Sequence, residues 1–177
     1  MQLKSTGAVV LWLALAAGAA AAPLRSSDPL HQSDDDVLRA VTTYARLTVF
    51  DDVNVRVDTG VVTLTGKVTM PYKKEDLAKR VRAVDGVKSV RNDIDVLPVS
   101  IADDELRQRV ARAIYGNAAF WRYAAMPNPP IHILVEGSRV TLTGTVASEM
   151  DRTLARSLAS GLGELSVTNC LKTETAR

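Results

Sequence analysis

Two eight-residue stretches, VVTLTGKV at 61–68 and RVTLTGTV at 139–146, decide the fold of this chain. Each alternates β-branched residues with small or polar ones at period two, which is typical of a half-buried β-strand. Each also carries a glycine, Gly66 or Gly144, at the same place in the run, where a strand bends or another backbone comes close. A strand that recurs in this way predicts a duplicated domain.

The match extends on both sides of the repeated strand. Upstream, VNVRV at 53–57 aligns with IHILV at 131–135, and each leads through a short turn into the repeated strand, which predicts a hairpin. Downstream, SVRNDI at 89–94 aligns with SVTNCL at 166–171 as a last strand. The structural glycines of this pattern, which we place at turns, strand bends and helix ends, are Gly60, Gly66, Gly86, Gly144 and Gly163.

Amphipathic helices are predicted before and after each hairpin. The apolar i, i+4, i+8 stripe of the first helix is formed by Val37, Val41 and Ala45 in copy one and by Leu106, Val110 and Ile114 in copy two. Asp34 and Asp103 take the predicted N-cap positions. In the second helix, the apolar stripe aligns Leu77 and Val81 with Leu154 and Leu158.

Each copy therefore consists of helix, strand, strand, helix and strand. We predict an α+β fold with two tandem α-β-β-α-β domains, each a three-stranded sheet covered on one face by two helices. The domains span 33–98 and 103–174, and the second carries an insertion rich in aromatic residues at 115–130. The short linker between them predicts that the two domains lie close together.

The first residues are typical of an export signal. One lysine precedes an apolar run that ends in alanines up to Ala22, and small residues suit a cleavage site. The run is shorter than the ~20 apolar residues that a membrane-spanning helix needs. We therefore predict a cleaved signal peptide over 1–22 and a mature protein that lies in the periplasm or outside the cell. Cys170 is the only cysteine, so no cysteine follows the signal to accept a lipid.

The composition speaks against several function classes. The chain has 22 Lys and Arg against 20 Asp and Glu, without the large basic excess typical of nucleic-acid binders. With two histidines and one cysteine, no zinc site of repeated Cys and His ligands can be assembled, and nothing near His132 resembles a nucleophile motif. We predict no enzymatic activity, no cofactor, no metal and no nucleic-acid partner.

Two patches are candidate binding sites. The first is the basic second helix of copy one, and the second is the aromatic insertion. The candidate residues are Lys73, Lys74, Lys79, Arg80 and Arg82 in the helix and Phe120, Trp121, Arg122 and Tyr123 in the insertion. Basic residues beside an apolar stripe suit anionic headgroups, and Trp and Tyr beside arginine suit a membrane interface. The alternatives are a solvated face of a core helix and aromatics that fill the core of copy two.

These residues resemble a known family. VTLTGKV with GVKSVRNDI in copy one, and VTLTGTV with GELSVTNCL in copy two, resemble the BON domain of bacterial envelope proteins. Two such domains behind a signal peptide resemble the osmotically inducible periplasmic proteins, which links the chain to osmotic stress. The resemblance covers about 33–173 and rests on structural glycines and core positions, so it indicates a fold more directly than an activity.

The resemblance implies binding of phospholipid or other envelope surfaces. We expect a non-enzymatic protein that contacts anionic phospholipid or membrane surfaces in the cell envelope. The alternative is an adaptor or stabiliser of periplasmic or outer-membrane proteins without direct lipid contact. Cys170 is predicted to lie on the sheet face opposite the core, covered by the neighbouring domain or available for an intermolecular disulfide.

Overall fold

The computed structural model describes residues 29–174, with side chains from residue 33 onward. The predicted signal peptide lies outside these described residues. Within them, the chain forms two α+β units that follow the duplication predicted from the sequence.

The first unit has the predicted order of elements. Its helices and strands are α1 Pro29–Thr42, β1 Asp52–Asp58, β2 Val61–Val68, α2 Pro71–Arg82 and β3 Ser89–Val96. Strand β2 lies in the middle of the sheet, antiparallel to β1 and parallel to β3. The parallel pairing follows from α2, because a crossover helix returns the chain to the same end of the sheet. Both helices cover one face, and the core lies between them and the sheet.

The second unit repeats this order with two additions. Its elements are α3 Ile101–Tyr115, a 3₁₀ turn at Ala118–Phe120, α4 Trp121–Ala124, β4 Ile131–Glu136, β5 Arg139–Val146, α5 Glu149–Ala159, β6 Ser166–Asn169 and β7 Lys172–Thr173. Its sheet has four strands rather than the predicted three, because the last strand is interrupted between β6 and β7. At the interruption Leu171 turns into the core while Cys170 is exposed. The prediction that the neighbouring domain covers Cys170 is therefore wrong for this arrangement of the chain.

The glycine inside each repeated strand has a steric cause. A Cβ atom on Gly66 would lie 2.1 Å from the carbonyl oxygen of Asp52, and one on Gly144 would lie 1.8 Å from that of Pro130. Both glycines also have a positive φ, 119° and 108°, which side-chain-bearing residues rarely adopt. The hairpin therefore closes in both copies only because the residue at this point has no side chain.

The apolar stripes of the two first helices agree with the prediction except at one position. Val37 and Val41 are buried as predicted, but α1 ends at Thr42, and the next buried side chain is Tyr44 rather than Ala45. In α3 the whole predicted stripe of Leu106, Val110 and Ile114 is buried. The larger Tyr44 completes the first core and donates a hydrogen bond to Asp76 on α2 at 2.6 Å.

Both predicted N-caps are wrong. Helix α1 begins at Pro29, so Asp34 lies inside it, and α3 is capped by Ser100, whose hydroxyl accepts from the amide of Asp103 at 3.2 Å. The buried Asp103 carboxylate instead accepts the amides of Gly137 and Ser138 at 2.9 and 2.8 Å. It thus ties the start of α3 to the β4–β5 turn.

The second helices align one residue differently from the prediction. The side chains of α5 that are buried in the core are Ala155 and Ala159, and these take the places that Leu77 and Val81 have in α2. The predicted partners Leu154 and Leu158 are only partly buried. Between its hairpin and its last strand, copy two is one residue shorter than copy one. The buried alanines place this missing residue after α5, whereas the predicted pairing of Leu77 with Leu154 placed it before the helix.

One side-chain contact fixes this alignment independently. The amide group of Asn92 on β3 donates to the carbonyl of Lys74 at 2.8 Å, and that of Asn169 on β6 donates to the carbonyl of Arg152 at 2.8 Å. Lys74 thus aligns with Arg152, in agreement with the burial of the alanines. The same asparagine links the last strand to the second helix in both units.

The segment before β1 contacts the second unit. The amide of Ile133 donates to the carbonyl of Val49 at 2.7 Å, and Phe50 packs against the second core. An ion pair between Lys67 and Glu136 joins the two sheets as well. The short linker is thus matched by direct contact between the two units.

Candidate interaction surface

The aromatic insertion folds as a short helical segment after α3. Asn117 begins it, because its side-chain oxygen accepts the amide of Ala119 at 3.0 Å and so caps the 3₁₀ turn. Helix α4 follows directly at Trp121. The proline-rich residues 127–130 then lead into β4. Neighbouring aromatic residues of this compact turn point in different directions, so each has to be placed separately.

Two of the four insertion candidates belong to the core. Phe120 is fully buried and Tyr123 nearly so, and their ring centroids lie 5.8 Å apart. The hydroxyl of Tyr123 accepts the amide of Ala147 at 2.9 Å and lies 2.9 Å from a carboxylate oxygen of Asp151. Burial, together with this carboxylate, raises the pKa of Tyr123. These aromatics support the fold of the second unit, as the core alternative predicted.

The other two candidates lie at the surface. Trp121 is 70% exposed, although Phe120 and Tyr123 of the same segment are anchored in the core. Arg122 makes an ion pair with Asp151 at 2.5 Å, and its guanidinium lies 4.6 Å from the centroid of the Tyr123 ring. The insertion therefore holds an exposed indole on a well-packed support, next to a cation.

Lys73 does not belong to the basic surface predicted for the second helix. It is 3% exposed, and its ammonium group donates to the buried carboxylate of Asp51 at 2.6 Å and to the hydroxyl of Thr69 at 2.8 Å. Asp51 also accepts the amides of Thr48 and Thr69 at 2.8 and 2.7 Å. Burial disfavours the charged Asp51, but these donors outweigh it and lower its pKa. Lys73 is a structural residue that fixes the segment before β1.

The remaining cations of α2 do lie on the outer side of the helix. Lys79 and Arg82 are exposed and Lys74 is half-buried, and none of the three is in an ion pair with a described residue. Arg80 is exposed but anchored, because it donates to the carbonyl of Ala40 at 3.0 Å and lies over the Tyr44 ring. The basic surface therefore consists of Lys74, Lys79 and Arg82, with Arg80 at its border.

The two candidate patches lie on different units. Among residues 33–174, no hydrogen bond, ion pair or ring contact joins the basic face of α2 to the insertion. Sequence analysis missed one exposed apolar residue, Met150, which is 79% exposed on α5 and precedes Asp151, the ion-pair partner of Arg122. Its signal was an apolar residue just after the N-cap Ser148, outside the core stripe.

The described residues offer no cluster suited to metal chemistry. Between residues 29 and 174, no group of three or more His, Cys, Asp or Glu side chains could hold a metal ion. His132 lies on β4 facing away from the core, opposite Thr143. In the same range, no helix is long and apolar enough to cross a membrane.

Comparisons with known proteins give one family. The sequence model of the BON domain matches this chain twice, at residues 35–98 and 102–174. A search of curated proteins gave no match.

Two solved structures show a weak likeness. One is described as CdsD, a structural protein of the type III secretion system of Chlamydia trachomatis, with 16% identity, 80% of this chain and 92% of that chain covered, and a TM-score of 0.31. The other is the C-terminal domain of CdsD, with 15% identity, 85% and 99% covered, and a TM-score of 0.28. At these TM-scores neither likeness bears on the fold or the function of this chain.

Proposed function

This chain belongs to the BON domain family, and from that premise we propose that it is a non-enzymatic protein of the periplasm that binds anionic phospholipid at a membrane surface. The BON domain is associated with phospholipid and membrane surfaces in general. The finer proposal is that Trp121 enters the interface and that the outer cations of α2 add electrostatic attraction.

The exposed indole of Trp121 is the observation that carries this proposal. An exposed tryptophan is unusual when the aromatic residues beside it are buried, because burial of the ring stabilises the fold. Tryptophan is enriched at membrane interfaces, where its apolar ring and its polar N–H both find partners. The segment that holds it is anchored by Phe120 and Tyr123, so the ring is presented without a large loss of conformational entropy on binding.

The unpaired cations of α2 support an anionic target. Lys74, Lys79 and Arg82 have no carboxylate partner among the described residues, so contact with lipid phosphate breaks no existing ion pair. Each basic residue near an anionic bilayer contributes ~1 kcal/mol. Together with the indole of Trp121, these three residues are expected to give the protein its preference for anionic lipid.

Co-sedimentation with vesicles tests the proposal. We expect the protein to sediment with vesicles that contain phosphatidylglycerol and to remain in solution with purely zwitterionic vesicles. Binding should weaken between 0.1 M and 1 M salt, because the screening length falls from about 10 Å to about 3 Å. The variant with Lys74, Lys79 and Arg82 changed to Gln should bind less and lose most of this salt dependence.

The control variant carries Lys172→Gln, Arg56→Gln and Arg139→Gln, which removes the same number of exposed cations elsewhere. If both triple variants lose binding equally, the effect is one of net charge and the assignment to α2 is wrong. If the unaltered protein ignores anionic vesicles at 0.1 M salt, the lipid proposal fails, and the adaptor alternative is the one to pursue.

A further inference from the structure

Strand β3 forms a free edge of the first sheet. Over its whole length it pairs with β2 alone, and among the described residues no hydrogen bond or ion pair joins it to the second unit. The other sheet offers no comparable edge, because Val49 occupies the edge of β4 at Ile133 and the last strand is broken between β6 and β7. An uncovered edge of this length presents a row of backbone donors and acceptors that can pair with another strand. The amide of Ile94 donates to the side-chain oxygen of Asn92 at 3.4 Å and has to exchange this long hydrogen bond for one to the partner strand.

The side chains of β3 are arranged in a matching order on the two sides of Asn92. Val90, Asn92 and Ile94 face the core, while Arg91 and Asp93 lie on the open face with side chains 72% and 42% exposed. Asn92 is therefore the centre of an arrangement with one apolar residue and one charged residue on each side, and the two charges have opposite signs.

We propose that β3 pairs with β3 of a second copy of this chain, antiparallel and around a two-fold axis at Asn92. In this register Arg91 of each copy faces Asp93 of the other on the open face. Arg91 and Asp93 already pair within one chain at 2.6 Å, so the dimer joins two such pairs into a group of four alternating charges. On the core face Val90 faces Ile94. The two three-stranded sheets then form one six-stranded sheet, and the same patch serves both partners, as in an isologous dimer.

Charge selects this register over its neighbours. A shift by two residues in one direction sets Arg91 against Arg91. The opposite shift sets Asp93 against Asp93 and Arg91 against Asp95, so it carries one repulsive pair that the proposed register lacks. Like charges directly opposite each other destabilise a strand pair. A shift by an odd number of residues would place core side chains on the open face, which burial disfavours.

Apolar side chains continue beyond the edge. Val96 at the end of β3 is 37% exposed and Val99 in the linker is 93% exposed. They extend the contact past the paired backbone. An interface of this kind is at the small end of the range for specific complexes, so we expect association in the micromolar range.

Charge reversal tests the pairing. In sedimentation equilibrium, we expect the purified protein to show a monomer–dimer equilibrium. Arg91→Asp should weaken the dimer roughly tenfold, because two attractive cross-strand pairs become repulsive. Arg91→Asp combined with Asp93→Arg restores opposite charges across the axis and should return the dissociation constant to within about threefold of the original.

Arg56→Asp, on the same face of β1, is the matched control and should leave the dimer unchanged. Far-UV circular dichroism verifies that each variant is folded. A protein that stays monomeric at several hundred micromolar would overturn the proposal, and so would a double variant that dimerises no better than Arg91→Asp.

Discussion

Lys73 and Asp151 take the same position of the second helix in the two units, since each lies one helical turn before a buried residue, Leu77 or Ala155. Their side chains carry opposite charges. Lys73 is paired with Asp51, which precedes β1, and Asp151 is paired with Arg122, which lies in the insertion before β4. Both pairs hold the segment that precedes the hairpin against the second helix. The duplication thus keeps the contact and reverses its polarity.

The insertion also replaces the acceptor of copy one. A carboxylate oxygen of Asp51 accepts the amide of Thr69 at 2.7 Å, and the hydroxyl of Tyr123 accepts the amide of Ala147 at 2.9 Å. These amides lie at the same position just before the second helix, where a backbone donor has no partner within the helix. Tyr123 therefore packs the insertion against the start of the second helix. Trp121 takes no part in this contact.

Lys73 is expected to contribute strongly to stability. Lys73→Met keeps most of the side-chain volume but leaves the buried Asp51 carboxylate without its cation, which should lower the free energy of unfolding by about 3 to 5 kcal/mol. The exposed control Lys79→Met should change it by less than ~0.5 kcal/mol. Urea unfolding followed by circular dichroism measures both. Equal effects of the two variants would contradict the assignment of Lys73 to a buried pair.

The hydroxyl of Tyr123 is expected to contribute to stability in addition to the burial of its ring. Tyr123→Phe leaves the amide of Ala147 without its acceptor and removes one of the two donors to a carboxylate oxygen of Asp151, which keeps Arg122, and this should cost about 1 to 3 kcal/mol. Tyr72 is exposed, and no hydrogen bond of its hydroxyl is present among the described residues, so Tyr72→Phe is the matched control. Thermal unfolding should separate the two variants, and an unchanged melting temperature for Tyr123→Phe would show that the hydroxyl contributes nothing.

Acid should weaken the first unit through Asp51. Since its pKa is lowered in the fold, the ionised form contributes stability above the unfolded pKa of about 3.9, and this contribution is lost as the pH falls through the lower folded value. Urea unfolding of the unaltered protein and of Asp51→Asn should therefore differ clearly at pH 6. The difference should shrink toward pH 2. A difference that stays constant over this range would mean that Asp51 is not ionised in the fold.

The glycine of the repeated strand should resist substitution. In Gly144→Ala the new Cβ meets the carbonyl oxygen of Pro130, and the strand has to move away. Gly137 also has a positive φ, but its Cβ position is open, so Gly137→Ala should cost only the ~1 to 2 kcal/mol of the left-handed conformation. Gly144→Ala should cost clearly more. Equal losses in a urea titration would show that the close backbone approach is relieved without penalty.

The fold was largely predictable because it rests on repeated local signals. The period-two strands, their glycines and the hairpin turns depend on few neighbours, and two copies strengthen each assignment. The alignment of α5 failed because Leu154 and Leu158 are more apolar than Ala155 and Ala159, yet the small alanines lie closest to the sheet. Helix periodicity alone does not separate two stripes that are one residue apart.

The candidate site was predictable only in part, because burial depends on tertiary contacts. Lys73 looks like its basic neighbours in the sequence, and only the position of Asp51, well before it in the chain, shows that it is paired in the core. Likewise, nothing in the string FWRY separates Phe120 and Tyr123, which pack inward, from Trp121. The fold of the short helical segment assigns each ring to its side.

The most direct test of membrane binding is the fluorescence of Trp121, the only tryptophan in residues 23–177. We expect the free protein to show the red-shifted emission of an exposed indole, and vesicles containing phosphatidylglycerol to shift it to the blue. Trp121→Ala should reduce vesicle binding at least tenfold, a loss of ~1.4 kcal/mol, while the free energy of unfolding changes by less than ~0.5 kcal/mol. An emission maximum that is already blue in the free protein and unchanged by vesicles would contradict the account.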